Sequence, residues 1–144
     1  EIAAVVAHEI GHYRKKHVVF SIILSVMSTG IMFWLFSQLV GRPEIYEAMG
    51  IDGKPFYLGI ILFGLLYTPV SIMLSLGSNY ISRRFEFQAD AFASSLHYAI
   101  NLQKALKKLA ADDLTDLTPD PAYVFVHYSH PPLAQRLNHL EKLQ

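Results

Sequence analysis

Residues 1–12 read EIAAVVAHEIGH, and within them His8, Glu9 and His12 make the pattern H-E-x-x-H. Histidines four apart are just over one helical turn apart, so both imidazoles project from one face. The apolar residues before them suit a helix. Two neutral imidazoles so placed can share one Zn²⁺. Glu9, beside His8, can reach a water at such an ion and take its proton as the water attacks a peptide carbonyl. A surface helix with two chance histidines is the competing reading, and so restrictive a pattern on a helical segment speaks against it.

Two long apolar segments must position this pattern. Val18 to Val40 and Phe56 to Gly77 contain no Asp, Glu, Lys, Arg or His. Each exceeds the roughly 20 residues that cross a bilayer core about 30 Å thick. Serine and threonine inside them can bond to their own helix backbone. Pro69 removes one backbone donor and is expected to kink the second helix. Buried core helices of a soluble protein are the alternative, against which length and lack of charge argue. Gly41 to Pro55 is a polar connector rich in Gly and Pro, with one helical turn expected near Glu44 to Met49. Two crossings return the chain to the side it left. Arg14, Lys15, Lys16, Arg83 and Arg84 flank that side, against Arg42 and Lys54 in the connector. The zinc side is therefore expected in the cytosol.

Beyond the spans, Arg83 to Tyr98 reads as helical. Asn101 is expected to cap a further helix with Leu102, Leu106 and Leu109 along one stripe. Asp112 to Tyr123 reads as a polar linker. A last short helix is expected to start within Ser129 to Pro132, with proline in its first turn and Leu133, Leu137 and Leu140 on its apolar face.

A catalytic zinc usually takes three protein ligands and keeps one position for water. Of the glutamates, Glu9 is the base, and Glu44 and Glu47 lie across the membrane. Glu141 is near the free end of the last helix, and Glu1 is two turns from His8 on its own helix. Glu86 remains, directly after the second span. Asp90 is one turn farther on the same face, placed to accept the other ring N–H of a ligating histidine. A solvated helix face paired with Arg83 and Arg84 is the plainer reading of both. His17, five residues past His12, is rotated off the ligand face and reads as interfacial. His97 and His139 have helix-surface explanations. His130 stands at a rigid turn before two prolines. There it either donates a hydrogen bond to a carbonyl oxygen becoming an oxyanion or is a plain residue at a helix start.

Composition bounds the rest. The 144 residues suit one compact unit, residues 1–144. Twelve basic and 12 acidic residues balance, so no global field recruits nucleic acid. There is no cysteine. Disulfides are excluded, any zinc must be held by histidine and carboxylate, and the compartment is not indicated. Hydrophobic residues make up 52% and charged ones 17%, a low charged share for a soluble domain. The chain opens at Glu1 inside a helical pattern, without an initiator methionine or signal peptide, and is expected to be the C-terminal part of a longer chain.

HEIGH before one span, RRFEFQADAF after the next and then HYSHPPLAQRL resemble the CAAX prenyl protease 1 family of integral-membrane zinc metalloendopeptidases. The resemblance covers almost the whole chain in order. HExxH alone is moderately specific; combined with SRRFEFQAD and HYSHPP it is highly specific. The resemblance implies His8, His12 and Glu86 as zinc ligands and Glu9 as catalytic base. It implies His130 as a contact to the substrate carbonyl or transition state. Asp90 matches the aspartate of the family's ExxxD motif. Arg136 matches the arginine of HPPxxxR, with a role in ordering the site. The implied fold is a bundle of seven membrane helices around a water-filled chamber. This chain corresponds to the last two of those helices and the C-terminal zinc-bearing part, so upstream membrane helices are expected partners. Family members remove the C-terminal tripeptide of prenylated CAAX proteins, although nothing in these residues reads a prenyl group directly.

The expectation is an all-α integral-membrane helical bundle fragment with two transmembrane helices and an HExxH gluzincin-like site. It would hold one Zn²⁺ per chain, hydrolyse a peptide or protein substrate, sit in a lipid bilayer and bind no nucleic acid. In a eukaryote the membrane would be the endoplasmic reticulum or inner nuclear membrane, in a bacterium the plasma membrane. Two rivals stand beside it. One is an HtpX-like quality-control metallopeptidase, against which YSHPP and RRFEFQAD argue. The other is a non-catalytic zinc-containing membrane scaffold. Glu9 argues against that, because structural zinc needs no base and usually fills all four positions with protein ligands.

Overall fold

The computed structural model describes residues 1–144. Its regular structure is all helical: α1 (Ile2–Arg14), α2 (His17–Val40), α3 (Pro43–Glu47), α4 (Phe56–Ser95), α5 (Ala99–Asp112), α6 (Pro121–His127) and α7 (Leu133–Glu141). Two compact units divide the chain, one of Glu1–Ser21 with Leu76–Gln144 and one of Ile22–Ser75.

In the first unit, α1 buries Ala4, Ala7, His8 and Gly11. That is the i, i+3, i+4, i+7 spacing of a single helical face. The later part of α4 buries Glu86, Ala89, Asp90 and Ala93 at the same spacing. Each stripe mixes very small residues with groups that carry chemistry, and the small ones let the backbones come close. A Cβ on Gly11 would lie 3.0 Å from the Cα of Ala89 and 3.2 Å from its carbonyl oxygen. Ala4, Ala7, Ala93, Ala99, Leu102 and Leu140 form the core, drawing in α5 and α7.

Several boundaries differ from expectation for identifiable reasons. The helical segment begun at Arg83 is continuous with the second apolar stretch, and α4 runs unbroken for 40 residues through Pro69. Helix α5 starts at Ala99, with Tyr98 at its N-cap and no side-chain cap. His97, in a left-handed conformation at φ 64°, turns the chain there, so Asn101 falls inside the first turn and is not the cap. The expected linker contains α6. Asp120 caps it by accepting from the backbone N–H groups of Ala122 and Tyr123 at 2.8 and 3.1 Å, and Pro121 fits the first helical position. Helix α7 begins after both prolines, with Pro132 as its N-cap rather than in its first turn. Leu140 is fully buried, and Leu133 and Leu137 are partly so.

In the second unit, Tyr46 of α3 is buried, and its hydroxyl donates to the Val40 carbonyl at 3.2 Å. Phe36 meets Phe63 edge-on, ring centroids 5.0 Å apart. Helices α2 and α4 contain 18-residue windows of mean hydropathy 2.2 and 2.0, of which 0% and 6% are buried. A soluble core helix hides such residues. These helices turn Phe33, Trp34, Leu65 and Met73 outward, and both are long and apolar enough to be candidate membrane spans.

Candidate metal centre

The close crossing of α1 and α4 brings three donor atoms together. His8 Nε2 and His12 Nε2 are 3.2 Å apart. Glu86 Oε2 is 3.6 Å from the first, and Glu86 Oε1 is 3.5 Å from the second. A tetrahedral ion with bonds of roughly 2.0–2.1 Å holds its ligand atoms about 3.3 Å apart. The separations fit that requirement, and two imidazoles with a carboxylate are a donor set suited to zinc.

The proton on each ring is assigned by the nitrogen facing away from this point. His8 Nδ1 lies 2.9 Å from Asp90 Oδ1. An ionised carboxylate only accepts, so His8 carries its hydrogen on Nδ1 and a lone pair on Nε2. His8 therefore turns a lone pair on Nε2 toward His12 Nε2 and Glu86. Asp90 is fully buried and also takes Arg136 in a two-pronged pair, Nε to Oδ2 at 2.9 Å and Nη2 to Oδ1 at 2.6 Å. Arg136 Nη1 reaches Glu86 Oε2 at 3.1 Å. One guanidinium from α7 thus ties together the two acidic groups of α4. Burial opposes its charge, but the hydrogen bond and charge of Asp90, with Glu86, raise the Arg136 pKa above its ordinary value.

Glu9 is exposed and, with His8, His12, Glu86, His130 and Arg136, lines a cavity of about 400 Å³. Its apolar wall comes from Val5, Val18, Leu102, Leu106 and Leu109, the expected α5 stripe among them. His130 places Nδ1 3.1 Å from Glu86 Oε1. That hydrogen bond raises the His130 pKa, burial opposing it. Burial pushes the His12 pKa below its ordinary value, with Glu86 opposing, which favours the neutral ring that metal binding needs. His8, Glu9, His12, Glu86, Asp90, His130 and Arg136 all fall in one place.

The model of Peptidase family M48 matches residues 1–144. The chain belongs to peptidase family M48. It is 42% identical over 146 residues to the CAAX prenyl protease 1 homolog of Homo sapiens, covering 100% of this chain and 31% of that one. It is 40% identical over 141 residues to the homolog of Oryza sativa subsp. japonica, covering 98% and 33%. Identity to CAAX prenyl protease 1 of Saccharomyces cerevisiae is 38% over 156 residues, covering 98% and 34%. The crystal structure of S. mikatae Ste24p superposes with a TM-score of 0.86 at 38% identity, covering 98% of this chain and 36% of that chain. The expected resemblance and helical fold are borne out, and the chain spans about a third of the length of these relatives.

Other residues of this M48 chain serve the site without having stood out in the sequence. Arg83 on α4 donates to the carbonyls of Val124, at 3.3 Å, and Tyr128, and Asn79 donates to that of Val126 at 2.8 Å. They pin the end of α6 to α4 and so deliver His130. The Asp120-Pro121 pair signalled α6; nothing in the sequence signalled its docking. His17 is not interfacial but buried, with Nδ1 3.1 Å from His12 Nδ1. A helical wheel drawn through residue 17 turns it away, but α1 ends at Arg14 and Lys16 is left-handed at φ 57°. The reversed backbone swings His17 behind His12.

Proposed function

We propose that residues 1–144 act as one peptidase unit and carry the catalytic centre of a zinc-dependent membrane endopeptidase. The reading rests on one observation above all. Donor atoms of His8, His12 and Glu86 converge at 3.2–3.6 Å beside a cavity that Glu9 and His130 share. His8 and His12 would hold one Zn²⁺ through Nε2, and Glu86 through its carboxylate. Bound zinc would supply Lewis acidity, polarising the scissile carbonyl and bringing the pKa of a water to about 7. Glu9 takes the proton of the attacking water and passes it to the leaving amine. His130 turns from Glu86 to donate its ring N–H to the carbonyl oxygen as negative charge grows there. Asp90 holds the His8 ring, and Arg136 holds Asp90.

The proposed substrate is a peptide or protein of the kind named by the relatives, the C-terminal segment of a prenylated CAAX protein. The apolar, outward-facing helices α2 and α4 support a place in a bilayer. The basic residues at their zinc-side ends support a cytosolic site, in the endoplasmic reticulum or inner nuclear membrane of a eukaryote or the plasma membrane of a bacterium. Further membrane helices complete the chamber.

Replacement of Glu9 by Gln tests the chemistry. The side chain is exposed and nearly isosteric, so the variant should keep its zinc. Without a general base, hydrolysis by the protein as its gene encodes it should fall at least about 10²–10⁴-fold. Metal content and turnover measured on the same sample decide it, and near-normal turnover removes Glu9 from the mechanism.

A further inference from the structure

His17 is the buried titratable side chain to which this chemistry gives no task. It is 3% exposed. Its ring lies flat on Phe85, centroids 4.1 Å apart and planes at 9°, which fixes the plane of the imidazole. Each nitrogen has one partner. Nδ1 is 3.1 Å from His12 Nδ1, and Nε2 is 3.1 Å from Gln88 Oε1.

The hydrogens along this chain of groups follow from its outer end. The Gln88 amide oxygen can only accept, so His17 Nε2 carries a hydrogen. A neutral His17 then has a bare Nδ1, which can only accept. His12 Nδ1 must donate to it, and a neutral His12 is left with its lone pair on Nε2, the atom that faces His8 and Glu86. A donor at position 88 would reverse every step. His17 would then donate from Nδ1, His12 would accept there, and a hydrogen would stand on His12 Nε2 where a metal ion belongs.

We propose that His17 and Gln88 are positioning residues of the metal centre, holding His12 in the tautomer and orientation that ligation requires. The inference rests on the reading of His12 as a ligand. It gives His12 the counterpart of what Asp90 gives His8, an acceptor for the ring N–H that points away from the metal. The acceptor here is a second imidazole, itself oriented by an amide.

Gln88 is exposed, so its polarity can be changed without disturbing the core. Zinc affinity is measured by competitive chelation on the protein as its gene encodes it, in detergent, for wild type, Gln88→Glu, Gln88→Lys and His17→Phe. Gln88→Glu keeps the acceptor and should bind zinc at least as tightly as wild type. Gln88→Lys supplies only donors and should weaken binding about 10–100-fold. His17→Phe keeps an aromatic ring on Phe85, loses both nitrogens and should weaken binding in the same range. Charge at position 88 also acts on the ion at a distance, so the tautomer is read directly from ¹⁵N shifts of histidine-labelled protein stripped of zinc. His12 should carry Nδ1–H in wild type and Gln88→Glu, and Nε2–H in Gln88→Lys. An unchanged His12 tautomer across the Gln88 series overturns the proposal, whether or not His17→Phe folds. Failure of wild type to take up zinc, or retention of zinc by His12→Ala, overturns instead the assignment of His12 as a ligand.

Discussion

Gly11 lies against Ala89 with no room for a methyl group between the two helices: an added Cβ would stand 3.0 Å from the Ala89 Cα. The obstacle is backbone, which cannot swing aside as a flexible side chain would. His8 and His12 flank Gly11 on α1, and Glu86 and Asp90 flank Ala89 on α4. Gly11→Ala should therefore cost about 1–3 kcal/mol of stability through overpacking. It should also weaken zinc binding by moving His8 and His12 away from Glu86. Thermal unfolding and competitive chelation on one preparation check both, and no change in either would mean that the crossing absorbs a methyl.

Asp90 has two duties that a pair of variants can separate. It orients His8 and neutralises the buried end of Arg136. Asp90→Ala leaves a buried guanidinium short of its partner, and breaking a buried pair typically costs about 3–5 kcal/mol. Adding Arg136→Met should recover much of that stability. It should not recover zinc affinity, which should stay about 10–100-fold weak because His8 Nδ1 still lacks its acceptor. Full recovery of both would reduce Asp90 to a partner of Arg136. Glu86→Ala should lose zinc more completely than either, since it removes a donor atom.

Metal-stripped protein should show a pH signature at His130. The Glu86 hydrogen bond raises its folded-state pKa, so the folded state favours the protonated ring. The resulting stabilisation is fully present below the unfolded value near about 6.5 and is lost as pH rises through the raised folded value. Its size is small because the side chain is largely exposed. An NMR titration of the chelator-treated protein should place the midpoint above the ordinary histidine value, and Glu86→Gln should lower it. A midpoint indifferent to that change would break the assigned pair.

These 144 residues hold no cysteine, so topology can be measured in a background in which any cysteine elsewhere in the protein has been replaced. A single cysteine at Asp52, in the connector between α3 and α4, should be missed by a cytosol-restricted thiol reagent. One at Asp116, between α5 and α6, should be labelled. Labelling of both from the same side would mean that an apolar helix does not cross.

The motif residues were legible because helix periodicity alone places them. His8 and His12 share a face at any regular helix geometry, and so do Glu86 and Asp90. The match of the two faces was not legible, since it depends on Gly11 and Ala89 letting two backbones touch. Arg136 was visible only through family resemblance, because its bond to Asp90 spans 46 residues of chain that no local pattern connects. His17 was misplaced for the opposite reason. A local rule was applied across Lys16, where a left-handed residue ends the helix that the rule assumes.

The unbroken run of α4 fixes a distance along its own axis. Glu86 follows Gly77, the last residue of the apolar stretch, by nine helical residues, or about 13 Å of rise. If the proposed membrane reading holds and Gly77 marks the bilayer surface, this stretch of α4 would set how far from that surface the proposed metal centre stands. A polypeptide anchored in the same membrane then has two ways to bring a bond to that height. It can spend at least about four extended residues between anchor and bond, or its anchor can leave the lipid. For the proposed lipidated substrate, cleavage right beside the lipidated residue would leave only the second, and its lipid would have to move from bilayer to protein before the bond came within reach of Glu9.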